Sequence, residues 1–162
     1  MKYKKLNPEM AVVHCSATKP SMDIGAKEID FWHREKGWFS IGYHYVIRRD
    51  GTVEKGRPDD IPGAHARGHN HNSLGICLIG GVDDNGKPED NFTEEQHVSL
   101  YEVLFNLVGN YKLHTVLGHR DLPNVNKACP SFDVSEWLAP SAELSTMIYD
   151  NAHWRDTHED QD

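Results

Sequence analysis

Three side chains of the kinds that bind zinc occur where strand ends could bring them together. His14 ends a short apolar stretch, His119 follows a later one, and Cys129 lies in the loop after His119. A catalytic zinc ion usually takes three protein ligands and leaves its fourth position for water. The spacing lacks the short intervals of a His-Glu-x-x-His helix or a Cys-x-x-Cys knuckle. A strand histidine, a loop histidine and a small core cysteine therefore stay open as alternatives.

The elements that must position these residues alternate between strands and helices. Apolar and β-branched runs predict strands, and residues with helical spacing predict helices. The resulting fold class is α/β, a single domain with a central mixed β-sheet flanked by helices. The predicted strands are residues 11–14, 43–48, 52–55, 74–79 and 114–117, and the predicted helices are residues 24–36, a helix opened by Thr93, and residues 133–138.

Local signals mark where some of these elements begin and turn. Thr93 and Gln96 form a capping-box pattern ahead of an apolar face with helical spacing. Asp23 is a candidate cap for the first helix, in which we expect Ile24, Ile29 and Trp32 to be buried. Asp50-Gly51 predicts a two-residue type I′ hairpin turn with positive φ at both positions. Residues 56–73 then form a loop long enough to wall a site.

Length and composition limit the classes of function. The chain has 162 residues and a net charge of -8, which fits one globular domain and argues against nucleic acid as a partner. Since no apolar run approaches the roughly 20 residues that cross a bilayer, we expect no membrane insertion. The basic N-terminus lacks an apolar signal-peptide region, so we expect retention in the cytosol. We divide the chain into an extension (1–10), a main domain (11–140) and an acidic C-terminal tail (141–162) whose end we expect to be frayed.

The cysteines do not suggest a disulfide framework. Their number, 3, is odd, and the chain lacks an export signal. Strand alternation predicts that Cys15 points away from a metal that His14 faces. Cys77 lies in an apolar run and is interpreted as a core residue.

Several multi-residue motifs, in order along residues 11–138, resemble one known family. The chain is similar to the zinc-dependent N-acetylmuramoyl-L-alanine amidases of phage, lysozymes whose fold is shared with peptidoglycan-recognition proteins. That resemblance implies the fold just described and makes residues 11–140 a zinc amidase domain. The motifs that carry it are VHCSAT at 13–18, GYHY at 42–45, RDGT at 49–52, NHNS at 70–73 and KACPSF at 127–132.

The resemblance also assigns roles to individual residues. It implies that His14, His119 and Cys129 bind Zn²⁺. It further implies that Tyr43 and Lys127 are catalytic, and both are suitable donors to an oxygen that becomes negative during attack on an amide. By the same resemblance His65 and Asn70 lie near the substrate groove and are candidate substrate-binding residues. His69 and His71 are interpreted as solvated loop residues.

The implied reaction is hydrolysis of the lactyl amide between N-acetylmuramic acid and L-alanine in bacterial peptidoglycan. The expected protein is a monomeric phage endolysin that stays in the host cytoplasm and reaches the wall after membrane breach. The resemblance also implies a possible second role, binding and inhibiting a phage RNA polymerase, although the N-terminal sequence MKYKKLNPEM does not obviously match. Because protons compete with zinc for its ligands, we expect activity to collapse in acid.

Two other functions are weighed against the zinc amidase. A cysteine peptidase could use Cys129 with His119, but Pro130 is poor for a nucleophile at a helix N-terminus. A non-catalytic module could bind peptidoglycan without cutting it. The presence of Cys129 separates that module from the amidase, because members of the wider family that lack this cysteine bind without cutting.

Overall fold

The computed structural model describes residues 4–158, and a mixed sheet lies at its centre. Within this part of the chain the sheet has 5 strands in the order β3-β2-β4-β1-β5. Strand β1 is parallel to both of its neighbours, β4 and β5. Strand β2 is parallel to β4, and β3 is antiparallel to β2. The strands are β1 (Met10–Cys15), β2 (Tyr45–Ile47), β3 (Val53–Lys55), β4 (Ser73–Leu78) and β5 (Thr115–Gly118).

Helices cover both faces of this sheet. They are α1 (Ala26–Glu35), α2 (Glu94–Tyr111), α3 (Val134–Leu138) and α4 (Ala142–His158), and a 3-10 turn (His119–Asp121) follows β5. The α/β fold with a mixed central sheet is therefore confirmed. Each predicted strand and helix is present, with ends that shift by one or two residues.

Strand β1 alternates between the two faces of the sheet. Ala11 and Val13 belong to the main core, which packs against α2, whereas Val12 packs on the opposite face with Ala66 and Leu122. His14 follows the alternation and points to the same side as Val12. The site therefore forms on the face that is not covered by α2.

Helix α2 is fixed to the sheet by one buried amide. The predicted capping box is present, since Thr93 Oγ1 accepts from the Gln96 N–H and Gln96 Oε1 accepts from the Thr93 N–H. The side-chain amide nitrogen of Gln96 also donates to the carbonyls of Ile47 and Ile79. Gln96 thus joins the start of α2 to the ends of β2 and β4 while leaving no polar atom unpaired.

Three local predictions, two about α1 and one about the hairpin, were wrong. Gly25, not Asp23, precedes α1, and Asp23 instead pairs with Arg48 at 2.9 Å. Trp32 is 37% exposed, and His33 takes the buried position beside Ile29. The turn after β2 has positive φ at Gly51 (88°) but not at Asp50, and the Gly51 N–H bonds to the Arg48 carbonyl. This is a type I turn followed by a left-handed glycine, a common three-residue hairpin connection.

The expected acidic tail is a helix through most of its length. Helix α4 runs to His158, and residues 159–162 lie outside the described residues. The Asn151 side chain donates to the carbonyls of Val108 and Leu113, and Arg155 donates to those of Tyr111 and Lys112. These bonds satisfy carbonyls at the C-terminal end of α2 and order a segment whose composition suggested fraying. The division of the chain at residues 10 and 140 stays a prediction.

One carboxylate joins four segments at the edge of the sheet. Asp59 accepts hydrogen bonds from the hydroxyls of Tyr45 and Tyr111, both at 2.8 Å, and pairs with Lys55. Burial opposes ionisation, but these donors outweigh it and lower the pKa of Asp59 below its ordinary value of 3.8. Because the folded-state pKa is depressed, the stabilisation is present above about pH 4 and is lost as pH falls through the folded-state value.

We expect Asp59→Asn to lower the free energy of unfolding at pH 7 by about 1–3 kcal/mol, because hydrogen bonds to a charged acceptor are replaced by weaker ones. Urea unfolding at several pH values measures the difference from the native protein. That difference should shrink in acid, where the native carboxylate is also protonated. Asp60→Asn is the matched control, since Asp60 is exposed, and an equal loss in both variants would contradict this role of Asp59.

Candidate active site

The pairing of β1 with β5 brings the two candidate histidine ligands together. Val13 lies opposite Gly118 in the parallel register, so His14, near the end of β1, and His119, directly after β5, lie side by side. Their ring centroids are 4.6 Å apart. Cys129 completes the group, and the ligand atoms of His14, His119 and Cys129 lie within 4.8 Å of one another.

The loop after β5 is closed so that Cys129 reaches this edge. The Arg120 N–H donates to the Cys129 carbonyl at 2.8 Å, which fixes the two ends of the loop to each other. The Cys129 sulfur accepts from the Cys15 N–H at 3.2 Å and lies 3.9 Å from His14 Nδ1. Cys129 is thus held at the end of β1 by a backbone donor suited to a thiolate.

A chain of hydrogen bonds orients His14. Its Nε2 lies 2.8 Å from His65 Nδ1, and His65 Nε2 lies 3.3 Å from the Ser73 hydroxyl. The Ser73 hydroxyl donates to the carbonyl of His69 at 2.6 Å. If each ring donates from Nε2, every donor has an acceptor, and His14 Nδ1 is left free towards Cys129. This is the arrangement in which a second histidine fixes the tautomer of a metal ligand.

Gly75 makes room for this chain. A Cβ atom at Gly75 would lie 2.6 Å from Cγ of His65, closer than real side-chain contacts. The absent side chain lets the His65 ring lie flat against β4. The same Gly75 also donates its N–H to Nδ1 of the buried His44 at 3.0 Å.

The site histidines are kept neutral. Burial lowers the pKa of His14 well below 6.5, helped by His65, His119 and Lys127. Burial likewise lowers the pKa of His65 to about 3. Burial and the Lys127 charge lower the pKa of His119. Neutral imidazole is the form that binds metal.

The donor set suits zinc. Two imidazole nitrogens and one cysteine sulfur are borderline-soft ligands of the kind found in catalytic zinc sites with one open position. Tetrahedral ligands at ordinary Zn–N and Zn–S distances are about 3.3–3.8 Å apart, so only a small contraction of the observed group is needed. His14, His119 and Cys129 therefore could hold a zinc ion.

Tyr43 and Lys127 lie beside these ligands. The Tyr43 ring centroid is 5.0 Å from that of His14, and burial raises the pKa of Tyr43 well above 10, so its hydroxyl stays a donor. Lys127 is exposed on the loop, and its charge contributes to the lowered pKa values of both ligand histidines. The buried His44 ring lies 5.8 Å from that of His65 and hydrogen-bonds to backbone atoms of Ile61 and Gly75.

One cavity of about 840 Å³ is lined by His14, His119, Cys129, Tyr43 and Lys127. The loop predicted to wall a site does so through residues 64–68 and Asn70. The sequence did not identify three further lining residues, His33 in the last turn of α1 and Lys36 and Trp38 just after that helix. The helical spacing of α1 was the one local signal for His33, and it was interpreted as burying Trp32 instead.

His65 and Asn70 both line the cavity, and each also has a structural partner. His65 supports His14, while Asn70 Oδ1 accepts from the N–H groups of His65 and Ala66, both at 2.9 Å. Asn70 thus fixes the loop segment that carries His65. Contact of either residue with substrate stays a prediction.

The expectations for the remaining cysteines had different outcomes. Cys77 is fully buried beside Ile79, as predicted for a core residue. Cys15 was predicted to point away from the metal site, yet its thiol lies within hydrogen-bonding range of the Cys129 thiol and 3.9 Å from Ser131 Oγ. Because Cys129 comes from the loop after β5, it approaches the end of β1 where side-chain alternation no longer separates the two faces.

The geometry can be compared with known proteins. The family model of N-acetylmuramoyl-L-alanine amidases matches residues 4–132. The chain therefore belongs to the N-acetylmuramoyl-L-alanine amidase family, and it is an enzyme that hydrolyses an amide. Its relatives include phage endolysins. The "Endolysin" of Enterobacteria phage K11 is 49% identical over 143 residues, covering 88% of this chain and 93% of the relative.

Solved structures agree with this assignment. The N-acetylmuramoyl-L-alanine amidase LysC from Clostridium intestinale URNW has a TM-score of 0.73 at 30% identity, covering 86% of this chain and 93% of that one. The bumblebee protein PGRP-SA has a TM-score of 0.71 at 21% identity, covering 88% of this chain and 87% of that one. The latter similarity shows the shared fold alone.

We expect His65→Ala to weaken zinc binding by about 10- to 100-fold, because His14 loses the partner that fixes its tautomer and orientation. Competition with a chromophoric chelator measures the zinc dissociation constant, and circular dichroism checks that the variant is folded. His71→Ala is the matched control, as His71 is exposed on the same loop. Unchanged zinc affinity in a folded His65→Ala protein would show that the chain of hydrogen bonds does not orient His14.

Proposed function

We propose that this protein is a zinc-dependent phage endolysin that hydrolyses the lactyl amide between N-acetylmuramic acid and L-alanine in peptidoglycan. The observation that carries the proposal is the meeting of His14, His119 and Cys129 at the cavity floor. Family membership supports the substrate class, and the donor set supports zinc. The ion is the cofactor that these neutral and thiolate ligands suit best.

Zinc, when bound, supplies a Lewis acid that polarises the amide carbonyl and makes water a better nucleophile. The chain's own residues do the rest. The Lys127 ammonium and the Tyr43 hydroxyl are the candidate donors to the negative charge that develops on the carbonyl oxygen. Tyr43 is held rigidly, since its ring packs against His14 and also lies 5.5 Å from His33.

The cysteine peptidase alternative is disfavoured by the surroundings of Cys129. A nucleophilic cysteine needs a base beside it and a lowered pKa. Here the adjacent Cys15 thiol and burial raise the pKa of Cys129 above its ordinary range. The non-catalytic module is disfavoured because Cys129 lies with both histidines.

The location of the protein, its oligomeric state and its second partner remain proposals. We infer storage in the host cytoplasm and action on the wall after membrane breach. Among the described residues no helix is both long and apolar enough to span a bilayer. A monomer and binding to a phage RNA polymerase stay predictions, and a pull-down with the cognate polymerase tests the second.

Replacement of the sulfur ligand tests the metal. We expect Cys129→Ser to lose bound zinc and to release no new L-alanine amino ends from purified peptidoglycan, because a serine hydroxyl is a far poorer ligand than a thiolate. Elemental analysis and an amino-end assay measure the two effects. Cys77→Ala is the control that should keep both. Full amino-end release by a zinc-free Cys129→Ser protein would end the zinc proposal.

Replacement of the lysine tests charge stabilisation separately from metal binding. We expect Lys127→Gln to lower kcat by about 10²- to 10³-fold, the usual loss when one donor to a developing oxyanion is removed. Zinc content should stay that of the native protein, since Lys127 is no ligand. Lys87→Gln, on an exposed loop, is the matched control. A kcat unchanged by Lys127→Gln would remove this residue from the catalytic group.

A further inference from the structure

The loop that carries Cys129 also forms one wall of the cavity through Asn124, Val125 and Asn126. Val125 is partly buried and packs with Val12, Ala66 and Leu122 on the face of the sheet that bears the site. The Val125 N–H bonds to the Leu122 carbonyl. This apolar contact anchors the middle of the segment, and the asparagines on either side of it are exposed at the cavity.

The two asparagine amides are unused within the fold. Across the part of the chain that the structure describes, neither Asn124 nor Asn126 makes a side-chain hydrogen bond. Other polar groups on the cavity wall do have partners: Asn70 accepts two backbone N–H groups, and His33 Nδ1 accepts from the Gly42 N–H. Asn124 and Asn126 thus present free donors and acceptors at a wall next to the candidate catalytic group.

The chemistry of an amide side chain indicates which part of the substrate it suits. An asparagine amide is uncharged and offers both donors and an acceptor, which matches sugar hydroxyl and acetamido groups. Peptide carboxylates are better served by cations, and the same cavity supplies Lys36 and Arg67 for that purpose. The scissile bond joins these two chemistries, so different walls should bind the saccharide and the peptide.

We propose that Asn124 and Asn126 are substrate-binding residues that hydrogen-bond the saccharide side of the muramyl amide. This inference rests on the proposed function, because it takes peptidoglycan as the substrate. It places the saccharide beside Lys127, on the loop that also supplies the sulfur ligand. The two amides act on binding and orientation and take no part in bond breaking.

The variants must remove each amide without disturbing the loop. Asn124 has a φ of 65°, a left-handed conformation that glycine adopts at no steric cost, so Asn124→Gly removes the side chain safely. Asn126→Ala serves at the second position. Asn106→Ala is the matched control, because it is an exposed asparagine on α2 far from the cavity. Zinc content and circular dichroism confirm that each protein is loaded and folded.

The first measurement is kinetic, with the zinc-loaded enzyme and the purified disaccharide-tetrapeptide as substrate. We expect each single variant to raise KM about fivefold and to leave kcat within about twofold, as expected for loss of one neutral hydrogen bond. The control should match the native enzyme. A fall in kcat at unchanged KM would overturn the assignment, because it would place the asparagines in the chemical step.

The second measurement is of direct binding. NMR titrations determine the affinity for the free disaccharide and, separately, for the free tetrapeptide. We expect both variants to weaken disaccharide binding about fivefold and to leave tetrapeptide binding unchanged. Weaker binding of the tetrapeptide, or equal disaccharide binding in all proteins, would overturn the inference. The enzyme could also bind the disaccharide through both asparagines and yet release no amino ends. That result would support the saccharide-binding role and contradict the proposed reaction.

Discussion

The central position of β1 determines where the site forms. This strand is buried on both faces and runs parallel to both neighbours, so the carboxyl ends of β1, β4 and β5 meet at one edge of the sheet. Ligands in open α/β sheets bind outside the carboxyl ends of strands, since the loops that follow them converge there. His14 and His119 are brought together by backbone pairing, before any metal binds. Their proximity is therefore a property of the fold.

The closeness of the histidine rings would cause repulsion if more than one of them were protonated. The rings of His14, His65 and His119 lie close together, with centroids 4.9 Å and 4.6 Å from that of His14. Protonation of more than one would place like charges together in a poorly solvated region. The fold favours neutral rings through burial and gives the inner N–H groups acceptors that end at the His69 carbonyl. With Nε2 as the donor, Nδ1 of His14 is left free towards Cys129, so burial and the hydrogen bonds favour the same neutral form.

Sequence patterns predicted the elements whose formation depends on residues close together in the chain. The strands, the Thr93 capping box and the short helix capped by Asp133 depend on neighbours in the chain, and all three are present. The ligand trio came from resemblance, because its spacing alone did not separate zinc from a core cysteine. The ligand-orienting role of His65 was missed, since it depends on Gly75 in another strand. Helix α4 was missed for a similar reason, as its order depends on carbonyls at the distant end of α2.

The loop after β5 fixes the positions of Cys129 and Lys127 together. Asp121 accepts from the Gly118 N–H, the Arg120 N–H bonds to the Cys129 carbonyl, and Val125 packs under the cavity wall. These contacts fix the beginning, end and middle of one short segment. Cys129 and Lys127 therefore have little freedom to move independently, so the loop that places the sulfur beside the two histidines also places the ammonium at the cavity. Preorganisation of this kind lowers the reorganisation that charge development would otherwise demand.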